Sequence, residues 1–327
     1  MSIIVSSLAV IGGIVVLYAA YTIYDFLSLH FIKPSRPLQS YLRPGPEPTY
    51  ALITGASAGI GLGVAQELVK QGFGVILLGH LEHELVEAKQ RLERATPGAA
   101  VRTAVMNAQT ATNEEMAQLA KSLEDLNITI LVNNVGGSGI SNSPIRELGT
   151  YSFADIDATI NLNARFMAQL TALILPILSR KPENPSQRSL VLSMSSGGWI
   201  GLPWLSMYCG TKAFNLAFSR SLAREFEYSS TTSHVDSLAV TPGDVLSQSN
   251  RLGVAQGTPT ADIYGKYIIS TVDGAVRRKK RDFVPYWQHD LQVRLIPWLD
   301  EGTRTREVTK AVAVKRKVWE AYYAKVE

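Results

Sequence analysis

The sequence predicts an α/β fold: a single domain built on a doubly wound parallel sheet and carried on an N-terminal transmembrane helix. Three observations predict it. Short, nearly continuous apolar runs alternate with longer amphipathic stretches, a glycine-rich turn joins the first run to the first helix, and an uncharged apolar segment opens the chain. The 327 residues leave room for one large core. Hydrophobic residues make up 46% and charged residues 18%, which excludes a disordered chain. The single cysteine, Cys209, excludes a disulfide framework and a cysteine-based zinc finger. A net charge of +4 is too small to argue for nucleic-acid binding. The five histidines (30, 80, 83, 234, 289) have no metal-site spacing, so no metal is expected.

Residues 3–24 carry no charge over 22 positions. A helix of that length covers roughly 33 Å, enough for the hydrocarbon core of a bilayer. No basic residue precedes the run, and it ends in tyrosines 18, 21 and 24, unlike a cleaved signal peptide. Lys33, Arg36 and Arg43 follow, which orients the body of the protein to the cytoplasm. The other reading is a helix buried against the domain; its all-round apolar surface favours the membrane. Residues 1–32 are therefore read as the anchor. Residues 34–49 hold five prolines in sixteen positions, and 33–49 reads as an extended spacer.

From residue 50 the strand-like runs are 50–54, 74–78, 101–106, 128–132, 189–194 and 235–240. Helix-like stretches lie between them, among them 60–71, 82–94 and 113–126. Apolar strands separated by helices imply a parallel sheet covered on both faces, and right-handed crossovers make it Rossmann-type. This domain is assigned to 50–265, with a basic, partly amphipathic extension at 266–327. No sequence repeat interrupts it.

The first strand runs into Thr54-Gly55-Ala56-Ser57-Ala58-Gly59-Ile60-Gly61. Glycines there let the backbone turn sharply and approach a pyrophosphate at a helix N-terminus, so the turn is a candidate dinucleotide site. Further along stands Tyr208-Cys209-Gly210-Thr211-Lys212, with Ser195 thirteen residues before the tyrosine. Residues four apart share a helix face, so phenol and ammonium can lie side by side. A fixed cation stabilises a phenolate, which suits acid–base chemistry. A solvated helix face gives the same spacing.

Taken together, these residues resemble the short-chain dehydrogenase/reductase family from about residue 50 to 243. The matching segments are TGASAGIG (54–61), NNVG (133–136), Asn163 followed thirteen residues on by Pro176, Ser195, YCGTK (208–212) and PGDVLS (242–247). The resemblance implies an oxidoreductase. Tyr208 would protonate the oxygen as hydride reaches the carbonyl carbon, and Lys212 would lower the tyrosine pKa and hold the nicotinamide ribose. Ser195 would hydrogen-bond the substrate carbonyl, with Ser196 the register alternative. Asn163 would anchor a water of the proton relay, with Asn161 as alternative, and Asn133 would support the sheet. Thr54, Gly55, Ser57, Gly59, Ile60, Gly61, Asn134, Val135 and Gly136 would line the cofactor, with Pro242, Gly243, Val245 and Ser247 on the nicotinamide side.

Two cofactor positions depart from the common pattern. Gly79-His80-Leu81 follows the second strand where NADP-using relatives typically carry arginine; no acid stands there, which argues against NAD. Asn107 replaces an adenine-binding aspartate and can still hydrogen-bond. NADPH is the expected cofactor, with His80 the candidate contact to a 2′-phosphate.

Within the family the chain is similar to membrane-bound very-long-chain 3-oxoacyl-CoA reductases and their 17β-hydroxysteroid dehydrogenase relatives, including text around 127–136 and a late Val284-Pro285-Tyr286-Trp287. This implies single-pass residence in the endoplasmic reticulum membrane, a catalytic domain facing the cytoplasm, and fatty-acid elongation. The implied partners are an acyl-CoA or other lipid-like ketone, the membrane, and a second copy or elongation-complex proteins. A reductase of a steroid-like or secondary-metabolite ketone, and a pseudoenzyme scaffold, are the alternatives; the intact Ser195, Tyr208, Lys212 and Asn163 set argues against the last. A carboxy-terminal dilysine signal carried by some members is absent.

The extension 266–327 holds fourteen Lys/Arg against eight Asp/Glu, densest at residues 277–281. That run reads either as a solvated loop or as a contact for anionic head groups or an acyl-CoA phosphate. Trp287, Leu291, Val293, Leu295, Ile296, Trp298 and Leu299 form an apolar stretch for the interface, an acyl tunnel or the core. Residues 244–265 read as a lid over a bulky substrate.

Overall fold

The computed structural model describes residues 2–34, 38–140 and 143–325. Arg36 and the last two residues lie outside the described residues.

Seven parallel strands form one sheet in the order β3-β2-β1-β4-β5-β6-β7. They are β1 (Tyr50–Thr54), β2 (Gly74–Gly79), β3 (Val101–Val105), β4 (Ile128–Asn133), β5 (Ser189–Met194), β6 (Val235–Val240) and β7 (Asp282–Phe283). The order reverses between β1 and β4, and at such a switch point a crevice opens at the carboxyl ends of the strands. The six expected strands are all present within a residue or two. β7 is an addition: its two residues pair with Ala239 and Val240, a run too short for any periodicity.

Alternation along each strand sends neighbours to opposite faces. Leu52, Ile76, Leu131 and Val191 pack with Phe166, Leu170 and Ile174 of α6 (Phe166–Leu178). Ile53, Leu77, Val132 and Leu192 pack on the other face with α2 (Gly59–Lys70) and α8 (Ala261–Arg277), through Leu68, Tyr264, Ile268 and Val272. The remaining helices of the layers are α3 (Glu82–Ala95), α4 (Asn113–Ser122), α5 (Phe153–Ile160) and α7 (Ser206–Tyr228). The third expected helix ends at Ser122 rather than 126, where Leu123 and Leu126 turn the chain back through 3-10-type bonds.

The opening helix, α1 (Ser2–Phe31), is long and apolar enough to cross a membrane over Ile3–Phe31, and its apolar stretch is unburied. That favours the membrane reading over a helix packed on the domain. Its foot is embedded. The Asp25 carboxylate meets Lys280 at 3.0 Å, Arg294 at 3.1 Å and Arg278 at 3.3 Å, and Leu29 is buried. Arg281 pairs with Glu227. Much of the basic run at 277–281 is thus spent on the anchor helix and on α7, where a solvated loop or a lipid contact was expected.

The proline-rich segment also differs from a free spacer. Leu38 and Tyr41 are fully buried, the Tyr41 phenol donates to Asp236 at 2.7 Å, and the Leu38 amide donates to Asp273 at 3.0 Å. Proline stiffens the chain, but two apolar side chains between the prolines find the edge of the core and tie it down.

Candidate active site

The glycine-rich turn crosses the end of β1. Gly55 and Gly59 hold φ of +62° and +59°, a left-handed backbone that favours glycine, and a Cβ on Gly61 would meet the Gly55 carbonyl at 2.2 Å. α2 has Ala58 at its N-cap, which supplies no side-chain bond, so the amides of its first turn are left without a side-chain cap. Asn134 braces the turn, donating to the carbonyls of Thr54 and Gly55, both at 3.0 Å. The Thr54 hydroxyl in turn accepts the amides of Asn134 and Val135 at 2.9 Å. Ile60 opens α2. This glycine-lined cradle at the N-terminus of α2 fits a pyrophosphate.

On the far side of the crevice, Asn163 sits in a π-helical turn, Asn161–Arg165, between α5 and α6. The wider turn rotates its side chain inward, fully buried. It accepts from the Gly137 amide at 3.0 Å and donates to the Gly137 carbonyl at 2.8 Å. A Cβ on Gly136 would lie 2.7 Å from the Asn163 Oδ1 and 2.9 Å from the Lys212 Nζ, so Gly136, Asn163 and Lys212 converge. Asn161 is half-buried at the start of the same turn.

α7 carries Tyr208 and Lys212. The ammonium lies 5.8 Å from the tyrosine ring centroid and donates to the Met194 carbonyl at 3.0 Å. Burial lowers the Lys212 pKa from 10.5 to about 8. Burial also raises the Tyr208 pKa, an effect opposed by the Ser196 hydroxyl beside it. The phenol is thus held protonated at neutral pH, as a proton donor needs; stabilisation of its phenolate by Lys212 is not what dominates here.

The two serines separate. The buried Ser195 hydroxyl, just past β5, donates to the Lys212 carbonyl at 2.8 Å, tying the exit of that strand to α7. Ser196 is half-exposed and caps a short 3-10 turn by accepting the Gly198 amide at 3.1 Å. Ser195 is engaged by the Lys212 carbonyl, whereas the Ser196 hydroxyl is the one that acts on the Tyr208 phenol, which favours the register alternative over Ser195. Asn133 is buried, donating to Thr171 at 2.9 Å and Ser193 at 3.3 Å, a brace of the sheet.

The segment after β6 closes the crevice. The Pro242 carbonyl accepts the Gly197 amide at 2.6 Å, Val245 is buried, and the Ser247 Cβ lies 3.6 Å from where a Gly59 side chain would begin. The expected lid is held from above by α10 (Glu301–Tyr323): Lys315 pairs with Asp244 at 2.7 Å, and Arg251 donates to the Tyr322 hydroxyl at 3.3 Å. Arg316 stacks 5.0 Å over Trp204.

At the adenosine end, His80 is exposed just past β2, and Asn107 accepts the Gln109 amide at 3.0 Å to cap its own turn. Sequence reading missed Glu84, in the first turn of α3, whose carboxylate accepts from the Ser57 hydroxyl at 2.8 Å. An acid is therefore present beside the cradle, four residues beyond the position where it was sought. Its only sequence signal is a place in a first helical turn, which looks like dipole compensation.

An apolar groove lined by Ile160, Ala164, Ala168, Met207 and Phe214 lies elsewhere. Helical spacing puts Met207, Gly210 and Phe214 on a face of α7 turned away from Tyr208 and Lys212.

The family described as short chain dehydrogenase matches residues 49–254. Among curated proteins, the chain is 27% identical over 297 residues to a very-long-chain 3-oxoacyl-CoA reductase of Pyricularia oryzae, covering 90% of this chain and 84% of that one. It is 31% identical over 281 residues to the protein of that name from Kluyveromyces lactis, covering 81% and 78%. Among solved structures, a short-chain dehydrogenase from Sphingobium yanoikuyae in complex with NADPH superposes with a TM-score of 0.59 at 22% identity, covering 72% and 87%. One from Salmonella enterica gives 0.62 at 22%, covering 74% and 99%. These structural likenesses establish the fold.

Proposed function

The chain belongs to the short-chain dehydrogenase family, and from that premise we propose that it is a membrane-anchored ketoreductase that reduces a long-chain 3-oxoacyl-CoA with NADPH. The observation that carries the reading is convergence: the Tyr208 phenol and Ser196 hydroxyl stand together, with Lys212 and Asn163 behind them and the glycine cradle alongside. The printed names of the curated relatives supply the substrate class.

Bound NADPH supplies the hydride that reaches the substrate carbonyl carbon. Tyr208 donates its phenolic proton to the substrate oxygen. Ser196 donates a hydrogen bond to the same oxygen, stabilising charge where it develops. The Lys212 ammonium, beside Gly136 and Asn163, would hold the nicotinamide ribose, and Asn163 would anchor a water through which the phenol regains a proton. The Gly55–Gly61 turn would hold the pyrophosphate, and Pro242, Gly243, Val245 and Ser247 would line the nicotinamide end. The missing acid at position 80 supports NADPH over NADH, while Glu84 weakens the phosphate preference by like-charge repulsion.

α1 is the membrane anchor of this proposal, in the endoplasmic reticulum, with Lys33 and Arg43 following it to hold the catalytic domain in the cytoplasm. A second copy of the chain would cover the apolar groove on α7, and elongation proteins are the remaining partners. The test is NADPH oxidation by the full chain in membranes, across 3-oxoacyl-CoA chain lengths, beside Tyr208→Phe. The proposal expects turnover on long chains that the variant loses by about 10²- to 10⁴-fold. Equal rates in the two proteins would refute it.

A further inference from the structure

α9 (Trp287–Leu295) touches both the anchor and the cofactor crevice through two adjacent residues. On one side, the Nδ1 of His289 accepts the Gly243 amide at 3.2 Å. The imidazole lies so close that a Cβ on Gly243 would meet its ring at 2.8 Å. The ring is held between Tyr264, 5.9 Å away, and Tyr286, 5.0 Å away. On the other side, the Asp290 carboxylate accepts from the Nε2 of His30 in α1 at 2.8 Å and from Arg294 at 3.0 Å. Arg294 then reaches Asp25 of α1 at 3.1 Å. Both His289 and Asp290 are buried.

Gly243 stands in a segment without regular secondary structure, so its place depends on side-chain contacts. Pro242 is pinned from the Ser196 side through Gly197, and Gly243 is pinned from the anchor side through His289. Successive residues of a helix point about 100° apart, so one short rigid helix addresses both surfaces at once.

We propose that α9 couples the seat of the membrane helix to cofactor binding, with His289 the positioning residue of the Pro242–Gly243 turn and Asp290 the key that fixes α9 to α1. The inference rests on the reading above, that this turn lines the nicotinamide end. It makes the anchor part of the binding apparatus as well as a tether: loosening the foot of α1 loosens the grip on NADPH and leaves the acid–base groups in place.

The test uses the full-length protein in liposomes, measuring NADPH KM, kcat and NADPH binding by fluorescence for His289→Ala, His289→Asn and Asp290→Asn. His289→Ala is expected to raise the NADPH KM by ~10-fold, the upper end for one lost hydrogen bond, with kcat nearly unchanged. His289→Asn keeps an acceptor at the Nδ1 position and should recover most of the loss. Asp290→Asn, which does not touch the turn, should raise KM in the same direction by about threefold, as a weakened charge-assisted bond would. An unaltered KM in His289→Ala, or an asparagine variant no better than alanine, would overturn the positioning role. A raised KM in His289→Ala with an unaltered one in Asp290→Asn would overturn the coupling to the anchor. A wild type that does not bind NADPH would instead remove the reading beneath the proposal, and the proposal with it.

Discussion

Replacing Lys212 by methionine separates what the ammonium does for chemistry from what it does to the fold. Lys212 is 4% exposed, and burial takes its pKa from 10.5 to about 8. At 1.36 kcal/mol per unit, keeping the charge inside costs up to about 3 kcal/mol at neutral pH. Methionine has a similar length and no charge. The Met194 carbonyl that Lys212 bonds is also bonded by Asn215 at 3.2 Å, so the substitution does not orphan it. Lys212→Met should therefore lose turnover while gaining stability, by a few kcal/mol at pH 7.

The pH dependence makes the test sharper. Below pH 8 both folded and unfolded wild type carry the charge, and the whole cost is present. Between pH 8 and about 10.5 the folded protein has released a proton that the unfolded chain still holds, so wild-type stability rises with pH. The advantage of the variant should shrink across that window. Denaturant unfolding of the detergent-solubilised chain at pH 7 and pH 9.5, with both proteins in parallel, measures it. A variant less stable than wild type at pH 7, or an advantage independent of pH, would refute the argument.

Two further outcomes follow from the site. Ser196→Ala should lower kcat by about 10²- to 10³-fold, the range for a lost oxyanion donor, whereas Ser195→Ala, which removes a bond from the exit of β5 to α7, should act mainly on thermal stability; paired kinetics and melting curves check both. Glu84→Gln should lower the KM for NADPH by roughly fivefold, as relief of about 1 kcal/mol of repulsion implies, and leave that for NADH nearly unchanged, as initial rates with each cofactor would report.

The sheet was legible because its signal is local. Runs such as Val235–Val240 and Ser189–Met194 are mostly apolar, and their ends coincide with the expected ones. The glycine turn and the Tyr208–Lys212 pair were legible for the same reason, since their spacing lies within one turn or one helix. What escaped was set by distant partners. Tyr41 looked like part of a spacer until Asp236, 195 positions away, accepted its phenol. The basic run read as surface because its acid, Asp25, lies some 250 residues earlier in a helix assigned to the membrane. Ser195 and Ser196 differ only in which way β5 leaves the sheet, and no spacing rule records that direction. Glu84 and His289 likewise act through contacts that close only when the crevice is assembled.

Isotope transfer tests the central claim most directly. The full-length protein in membranes would be given a long-chain 3-oxoacyl-CoA and NADPH deuterated at the transferable position of the nicotinamide, with mass analysis of the product. The account predicts a 3-hydroxyacyl-CoA carrying one deuterium at C3, formed by wild type and lost by about 10²-fold or more in Tyr208→Phe, which still binds NADPH. A product without the label, or a labelled product formed equally fast by Tyr208→Phe, would contradict it.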